Sequence, residues 1–428
     1  MMRDVYIVDG ARTPFLKTTN KAGPFSASDM AVMTAQQLFA NQPTCAPTHL
    51  DEVILGCVMP SVDEANIARI VALRLGCGKS VPAWTVQRNC ASGMQALDSA
   101  FSNIALGRSD LILAGGTEVM SRAPLLLNND MTAWVSRMMS AKDWKTRLQT
   151  IFTLKPAYFK PVIALLHGLT DPTINLSMGQ TAEILAHQFN ITREMMDQFA
   201  YESHQRAVSA DTHHHLSEIK TLFSNQGDYF SNDTGVRPDS SLQKLATLKP
   251  IFDKRFGSVT AGNSSQVTDG AALLLLASHE AIEKYHLPVL AKIVGTTWAG
   301  VLPSEMGLGP VYAVDKLMQQ FNLSFQNIDY WEINEAFSAQ VLACVEALSS
   351  DQYCQTHLGR EKAWGAINRD RLNADGGAIA LGHPIGASGA RIVLHLAMLL
   401  KRENAHRGVA TICIGGGQGG AMLIERGL

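Results

Sequence analysis

The feature that most constrains the fold is a repeat that links a segment near residue 100 to a segment near the C-terminus. Each copy opens with Ala-Ser-Gly, at 91–93 and at 387–389, and continues with apolar residues at helical spacing. Each then reaches a short apolar run, 111–114 or 409–412, that is followed directly or closely by glycines. A helix followed by a buried strand, used twice in one chain, indicates two related α/β halves.

Strand-like segments upstream of both copies extend the repeat. Residues 50–56 and 328–334 begin in a similar way, with an apolar residue and then Asp. Chance similarity between amphipathic helices is the alternative, and the matching Ala-Ser-Gly and polyglycine positions make it less favourable. We therefore predict two similar βαβ-type halves. The predicted N-terminal half is 1–120 and 251–285, an inserted loop domain is 121–250, and the C-terminal half is 286–428.

Composition excludes several classes of protein. The chain has 428 residues, which is long for a single domain, and only 17% of them are charged, which argues against disorder. Lys and Arg number 36 against 38 Asp and Glu, so no nucleic-acid partner is expected. The chain enters a strand-like segment at 5–8, which leaves no room for a secretory signal, and we expect a cytoplasmic location.

Seven cysteines are scattered along the chain without a Cys-x-x-Cys pair. An odd number at irregular spacing argues against a disulfide framework and against a zinc site, so no metal is expected. The ordinary interpretation of any one of them is a small buried apolar side chain. A chemical role therefore needs a specific local context.

The inserted region contains a basic, apolar segment. Residues 122–160 hold seven basic residues and two acidic ones, an excess of about five positive charges. Trp, Met and other large apolar residues are interleaved with them. One interpretation is a helical excursion packed on its own protein, with a solvated basic face. The other is a surface that meets CoA phosphates, a membrane or a partner subunit.

One cysteine has such a context. Cys90 lies where a strand-like segment, 86–88, meets the first repeated helix. The positive end of a helix dipole favours a thiolate, and the small residues 91–93 leave room for a bulky thioester. This arrangement is typical of a nucleophile in acyl transfer.

Three other segments offer the base and the hydrogen-bond donors that such a nucleophile needs. His383 lies within a glycine-rich stretch, 373–386, Asn334 ends a predicted strand, and Cys413 ends the last predicted strand before three glycines. Polar residues at the ends of strands in an α/β protein mark the usual ligand-binding edge. Because these positions are equivalent ends of a repeated fold, we predict that they share one active site.

Four motifs resemble the signature blocks of the thiolase family, in the family's order. They are 89–93 (Asn-Cys-Ala-Ser-Gly), 334–337 (Asn-Glu-Ala-Phe), 382–384 (Gly-His-Pro) and 413–417 (Cys-Ile-Gly-Gly-Gly). Segments 10–15, 178–183 and 259–265 also match, so the resemblance covers essentially the whole chain. It implies the thiolase fold: the two halves in a layered α/β/α/β/α arrangement with the inserted loop domain.

The resemblance implies a role for each matching residue. Cys90 would accept the acyl group, and His383 would activate it. His383 would also form one oxyanion hole with a water held by Asn334. Cys413 would be the second acid and base, and the backbone N–H groups of Cys90 and Gly415 would form the other oxyanion hole. One such donor in a dry site contributes about 3–4 kcal/mol to catalysis.

Coenzyme A is the implied co-substrate, and no permanently bound cofactor is expected. By the same resemblance it would rest against Met178, Arg237, Phe252, Ala261, Ser265, Ala336 and Phe337. Many short-chain biosynthetic thiolases have His where this chain has Ser177, and that His helps to hold a small acyl group. The departure weakens the case for strict acetoacetyl-CoA specificity.

Two long segments, 125–175 and 349–368, make the chain look like the thiolase subunit of the fatty-acid β-oxidation complex. That subunit commonly has His-Glu-Ala-Phe, however, where this chain has Asn334. The resemblance implies CoA-dependent thiolytic cleavage of 3-ketoacyl-CoA and the reverse condensation. A short-chain biosynthetic acetoacetyl-CoA thiolase is the first alternative.

Other functions and partners complete the expectations. A decarboxylating ketoacyl synthase would use one Cys with two His, or with His and Asn, and Cys413 argues against it. A non-catalytic carrier or scaffold would lack a catalytic residue, and none is missing. We expect a homodimer or homotetramer, with a hydratase/dehydrogenase subunit of a β-oxidation complex and a peripheral membrane surface as possible partners of residues 122–160.

Overall fold

The structure of the protein is a computed structural model that describes residues 2–19 and 21–427. The strands are β1 Val5–Arg12, β2 Leu16–Lys17, β3 Glu52–Gly56, β4 Ala83–Val86, β5 Leu111–Val119, β6 Leu125–Leu126, β7 Val162–Ile163, β8 Thr170–Asp171, β9 Leu176–Ser177, β10 Leu222–Phe223, β11 Tyr229–Phe230, β12 Thr268–Ala277, β13 Ala291–Gly300, β14 Tyr330–Ile333, β15 Arg407–Ile414 and β16 Gln418–Arg426.

Helices alternate with these strands in the two halves. They are α1 Ala27–Ala40, α2 Ile67–Arg74, α3 Ser92–Ala105, α4 Asn129–Ser140, α5 Trp144–Phe152, α6 Ala164–Gly168, α7 Met178–Gln188, α8 Arg193–Thr212, α9 Leu242–Ala246, α10 His279–Tyr285, α11 Gly309–Gln320, α12 Ser338–Ser349, α13 Asp351–Leu358, α14 Ala378–Leu381 and α15 Ile385–Arg402. No helix in the described ranges is long and apolar enough to cross a membrane.

The sheet shows the same strand order twice. In the N-terminal half the order is β3-β5-β12-β1, with β4 outside β3, and in the C-terminal half it is β14-β15-β16-β13. The pair β3 and β5 is parallel, as is the pair β14 and β15. The pairs β5 with β12, β12 with β1, β15 with β16 and β16 with β13 are antiparallel. The halves meet through a short pairing of β1 with β13. The predicted repeat is thus present in three dimensions.

Three large apolar cores lie between the layers of the fold and hold them together. The central core contains α3 and α15 and apolar residues from both halves of the sheet. One outer core packs α1 and α2 on the N-terminal half. The other packs α7, α8, α11 and α12 on the C-terminal half. This is the α/β/α/β/α layering that the family resemblance implied.

The repeated Ala-Ser-Gly segments explain how α3 and α15 fit between the sheets. A side chain on Gly93 would overlap the backbone of Gly386 and Ala390, and one on Gly389 would overlap Met94. The helices therefore meet at their first turns, because glycine has no side chain to hold them apart.

β5 does not stop at the glycine pair that the sequence analysis took as its end. It continues through Gly115 and Gly116 to Val119, paired with β12 over its whole length. A side chain on Gly116 would collide with the Gly386 carbonyl oxygen. These glycines permit close packing inside a strand instead of ending it.

Candidate active site

Cys90 lies in the tight turn that joins β4 to α3. Asn89, just before it, has a left-handed backbone (φ 43°). The Asn89 side-chain amide donates to the Gly415 carbonyl oxygen at 2.7 Å, and the Ser92 hydroxyl donates to the Asn89 carbonyl oxygen at 2.7 Å. The turn is thereby attached to the glycine segment that follows β15. The first half's helix start and the second half's strand end meet here, as predicted.

The electrostatics of Cys90 differ from the sequence-based expectation. Burial raises the pKa of the Cys90 thiol, and the backbone N–H of Gly415 only partly offsets that effect. The expected stabilisation of the thiolate at the helix start is therefore outweighed by desolvation. Cys90 rests as a thiol and needs a base before it can attack.

His383 is in a suitable state to act as that base. Burial, and then the charge of Arg391, lower the pKa of His383 to about 3, so the ring is neutral near pH 7. Its Nδ1 lies 2.6 Å from the Ser388 hydroxyl, which donates in turn to the Pro384 carbonyl oxygen at 3.0 Å. Because the Ser388 hydroxyl donates its only proton to Pro384, it can only accept from His383, and we assign the ring proton to Nδ1. The lone pair is then on Nε2, which has no protein partner in the described residues.

Cys413 and Asn334 lie at neighbouring strand ends of the C-terminal half. Burial, and then the proximity of Cys90, raise the pKa of Cys413 well above its ordinary value. Asn334 is fully buried, and neither atom of its side-chain amide has a hydrogen-bond partner within residues 2–19 and 21–427. A buried amide costs free energy unless something binds it, so Asn334 marks a place where a polar ligand belongs.

Two buried glutamates hold the turns of the site, and the sequence analysis did not single them out. Glu118 accepts from the backbone N–H groups of Val58 (2.9 Å), Met59 (2.9 Å) and Gly386 (3.0 Å), and burial raises its pKa to about 7. Glu335 accepts from Asn373 at 2.8 Å, and also from Ser203 and Ile379.

Glu335 is part of a quoted motif, and its carboxylate fixes the glycine-rich stretch that carries His383. Glu118 had no signal in the sequence, because its partners come from segments that are distant along the chain.

A cavity of about 500 Å³ opens beside His383. Six of the seven residues predicted to bind CoA line it: Met178, Arg237, Phe252, Ala261, Ser265 and Phe337. Ala336 is buried behind this wall, where its carbonyl oxygen accepts from the Ser265 N–H at 3.0 Å. The sequence analysis missed Lys17 and Gln266, which also line the cavity. Lys17 is a second cation beside Arg237 on a wall that suits an anionic ligand.

A second, smaller cavity of about 230 Å³ adjoins the first and contains Cys90. Met178, Leu169, Thr170 and Ile385 line both, so they form the boundary between them. Gly415 also lines the second cavity, whereas Cys413 and Asn334 lie buried behind these walls. The structure thus brings all five predicted catalytic residues into one region, on or behind the walls of two adjoining cavities.

The described residues contain no cluster of His, Cys, Asp and Glu that could hold a metal ion. The three consecutive histidines, 213–215, follow the end of α8, and only His215 faces a carboxylate, at 3.1 Å from Asp375.

The chain belongs to the thiolase family. The family model described as "Thiolase, N-terminal domain" matches residues 5–280, and the one described as "Thiolase, C-terminal domain" matches residues 287–426. A thiolase is an acyltransferase that uses CoA as a co-substrate and needs no permanently bound cofactor, and the cavities fit such a co-substrate.

Curated relatives span the whole chain. The β-ketoadipyl-CoA thiolase of Pseudomonas aeruginosa is 39% identical over 431 residues and covers 100% of both chains. The mitochondrial trifunctional enzyme subunit beta of Bos taurus is 35% identical and covers 99% of this chain and 88% of its own length.

Solved structures agree with the family. The Bacillus anthracis acetyl-CoA acetyltransferase superposes with a TM-score of 0.85 at 36% identity, covering 99% of both chains. Human mitochondrial 3-ketoacyl-CoA thiolase in complex with CoA superposes with a TM-score of 0.84 at 34% identity, covering 99% of this chain and 98% of that one.

Proposed function

We propose that this thiolase degrades 3-ketoacyl-CoA in fatty-acid β-oxidation, with Cys90 as nucleophile and Cys413 as acid and base. The observation that carries the assignment is the pair of cysteines. The two thiols come from opposite halves, and they are close enough for Cys90 to raise the pKa of Cys413. A nucleophile and a separate proton donor are what thiolytic cleavage requires.

In the first half-reaction, His383 Nε2 takes the Cys90 proton and the thiolate attacks the 3-keto carbon. The bond between C2 and C3 breaks, and its electron pair takes the proton of Cys413 to release acetyl-CoA. The enolate oxygen that forms on the thioester lies with His383 and Asn334. The oxyanion on the attacked carbon accepts from the N–H groups of Cys90 and Gly415.

In the second half-reaction, the Cys413 thiolate removes the proton of an incoming CoA thiol. The CoA sulfur attacks the acyl-Cys90 thioester, and Cys90 leaves as a thiolate that regains the proton from His383. Every group is then in its starting state. Condensation uses the same steps in reverse.

A chain-length series tests this function. Thiolysis of 3-ketoacyl-CoA from C4 to C16 is followed through the loss of substrate, and a degradative enzyme of β-oxidation accepts chains longer than C4. Activity on the C4 substrate alone would favour the short-chain biosynthetic alternative. Ser177 stands where many short-chain enzymes have the His that helps to hold a small acyl group, which weakens the case for the C4 substrate alone; in this chain the Ser177 hydroxyl accepts from the Gln180 N–H and caps α7.

We further propose that residues 122–160 form a docking surface for a hydratase/dehydrogenase subunit of a β-oxidation complex. No residue of α4 or α5 is buried. The Trp134 indole N–H donates to the Thr150 carbonyl oxygen at 2.9 Å, so the two helices contact each other, but neither contributes to the apolar cores. Large apolar side chains are accessible there, among them Phe152 at 81% and Met139 at 79%. Exposed apolar groups in this number indicate an interaction site.

The charge of the docking surface favours an acidic partner. Seven basic residues against two acidic ones attract an acidic protein face, and Met and Trp supply adaptable apolar contact. A curated relative at 35% identity is the β subunit of a trifunctional enzyme. A membrane with anionic lipids would match the same charge and is the outcome that would replace a protein partner.

Four exposed basic residues of this surface, Arg137, Lys142, Lys145 and Arg147, are replaced by Gln to test docking. The matched control replaces Lys79, Arg108, Lys284 and Lys401, which are exposed elsewhere. We expect only the first variant to lose association with the purified hydratase/dehydrogenase subunit at low salt. Unchanged association would contradict docking through these charges. Binding to anionic liposomes alone would assign the surface to a membrane.

We also propose a homodimer or homotetramer, measurable by analytical ultracentrifugation, and a cytoplasmic location, measurable by cell fractionation. Both rest on the sequence analysis.

A further inference from the structure

The two cavities of the site divide the substrate between them. Cys90 lines the smaller cavity and not the larger one, whereas six of the seven predicted CoA-binding residues line the larger one, and of these six only Met178 also lines the smaller one. An acyl group bound to Cys90 therefore lies in the smaller cavity while CoA occupies the larger. The walls of the smaller cavity decide which acyl groups fit.

Those walls are mainly apolar and contain no cation. Their apolar part comes from the loop after β3, from the segment around α6 and from the start of α15: Val58, Met59, Leu165, Leu169, Pro172 and Ile385. None of the described residues that line this cavity is Lys, Arg or His. The polar lining residues Gln87, Asn89 and Thr170 are uncharged, so a carboxylate at the far end of an acyl chain would be desolvated without a cationic partner, which costs several kcal/mol.

Asp171 is the wall's one carboxylate among the described residues. It is 3% exposed and accepts from the Thr173 N–H at 2.8 Å, the Thr173 hydroxyl at 2.6 Å and the Ile174 N–H at 3.3 Å. These bonds, led by the Thr173 hydroxyl, lower the pKa of Asp171, so its negative charge persists at neutral pH.

We propose that this cavity selects uncharged, apolar acyl groups, and that Asp171 is a specificity-determining residue that excludes acyl chains ending in a carboxylate. The inference rests on the proposed thiolase function and deepens it by naming the substrate class. It separates this chain from a relative of 39% identity, the β-ketoadipyl-CoA thiolase, whose name indicates a dicarboxylic substrate.

Two substrates with six-carbon acyl groups test the wild-type protein. They are 3-ketohexanoyl-CoA and 3-ketoadipyl-CoA, which has a carboxylate in place of the terminal methyl group. We expect kcat/KM to be at least about a hundredfold higher for the uncharged substrate, because the carboxylate finds no cationic partner. Comparable values for the two substrates would overturn this inference and leave the thiolase function intact. If neither C6 substrate is turned over and no 3-ketoacyl-CoA from C4 to C16 is cleaved, both the inference and the thiolase function are overturned.

Two substitutions then test the named residues through the ratio of kcat/KM for the charged substrate to that for the uncharged one. Asp171→Asn removes the charge at constant size, and we expect the ratio to rise on the order of tenfold. Leu165→Arg adds a cation to the same wall from the half-exposed face of α6, and it should raise the ratio further.

The matched control is His167→Arg, which adds a cation to α6 at an exposed residue that lines neither cavity. An equal rise in the control, or no rise with Leu165→Arg, would overturn the assignment. The Leu165→Arg arm remains decisive if Asp171→Asn destabilises the turn at Thr173.

Discussion

The two halves of the molecule share a strand order and a central helix, yet they contribute different chemistry. The register of the parallel pairs makes Gly56 equivalent to Asn334 and Thr117 equivalent to Cys413. Cys90 stands two residues before α3, and the Ala-Ser-Gly repeat makes Gly386 its equivalent, although Gly386 is already the second residue of α15. The N-terminal half therefore supplies the nucleophile and its backbone N–H, and the C-terminal half supplies the proton-transferring groups and the other oxyanion donors.

Close packing explains why the helix starts differ. The Gly386 N–H donates to Glu118 at 3.0 Å, and a Cβ on Gly386 would lie 2.8 Å from the Glu118 carboxylate. A second cysteine at this place would displace Glu118, which also holds the backbone of Val58 and Met59. A repeated scaffold thus brings equivalent ends together, and local packing decides which of them can carry a reactive side chain.

Cys90→Ala should have the largest effect, because it removes the nucleophile that only the first half supplies. We expect kcat for thiolysis to fall by at least about 10⁴-fold, as for other removed nucleophiles. Cys77→Ala is the control, since Cys77 is in the same half and lines neither cavity. Mass spectrometry after acetyl-CoA incubation should locate the acetyl group on Cys90. An acetyl group on a different cysteine of the wild-type protein would contradict the assignment of Cys90 as the nucleophile.

Cys413→Ala should separate the roles of the halves. The variant should still become acetylated at Cys90, while steady-state turnover falls by about 10²–10⁴-fold, the range for a lost general acid or base. Cys354→Ala, a buried cysteine of the same half, should be close to the wild type. Near-normal turnover of Cys413→Ala would mean that the second half does not supply the proton-handling thiol.

Ser388→Ala should have a smaller effect, because it acts through His383. Loss of one hydrogen bond to Nδ1 is expected to reduce kcat/KM by about tenfold. The ¹⁵N shifts of His383 should show the Nδ1–H form in the wild type and a mixture of the two neutral forms in the variant. Wild-type shifts in Ser388→Ala would show that the scaffold, and not this hydroxyl, sets the position of the ring proton.

The smallest effect is expected on the stability of the fold at high pH, and it arises from a buried histidine of α15. His395 lies between Glu218 (3.0 Å) and Asp375 (3.2 Å). Although burial opposes protonation, these carboxylates raise the pKa of His395 to about 10. Since the folded pKa exceeds the unfolded value near 6.5, the stabilisation is complete below pH 6.5 and is lost as pH rises to 10.

Urea unfolding at pH 6.5 and pH 9.5 should therefore show a decrease of more than about 1 kcal/mol in the free energy of unfolding. In His395→Gln this decrease should be smaller. An equal decrease in both proteins would assign the pH dependence to other groups.

The repeat and the motifs predicted much of the fold. α3 begins at Ser92, within the small residues that were predicted to open it, whereas α15 begins at Ile385, two residues before its Ala-Ser-Gly segment. The strands predicted at 50–56 and 328–334 are present as β3 and β14. The predicted end of β5 was wrong, because Gly115 and Gly116 pack against the backbone of other segments and do not form a turn. Whether a glycine turns or packs depends on a partner that is distant along the chain.

The exposure of residues 122–160 could not be predicted either. Amphipathic spacing on α4 and α5 is compatible with packing on the protein or with an external surface, and the sequence left both open. Only the position of these helices in the fold showed that none of their residues is buried.

The sequence by itself determined the identity and order of the reactive groups, because each sits in a local motif of small residues that a nucleophile turn or a strand end requires. The tertiary structure alone decided their protonation and the shape of the substrate space. The pKa of Cys90 and that of His383 depend on burial by other segments. The cavity wall that includes Asp171 is assembled from five separate parts of the chain, and no local sequence pattern shows that they are close together.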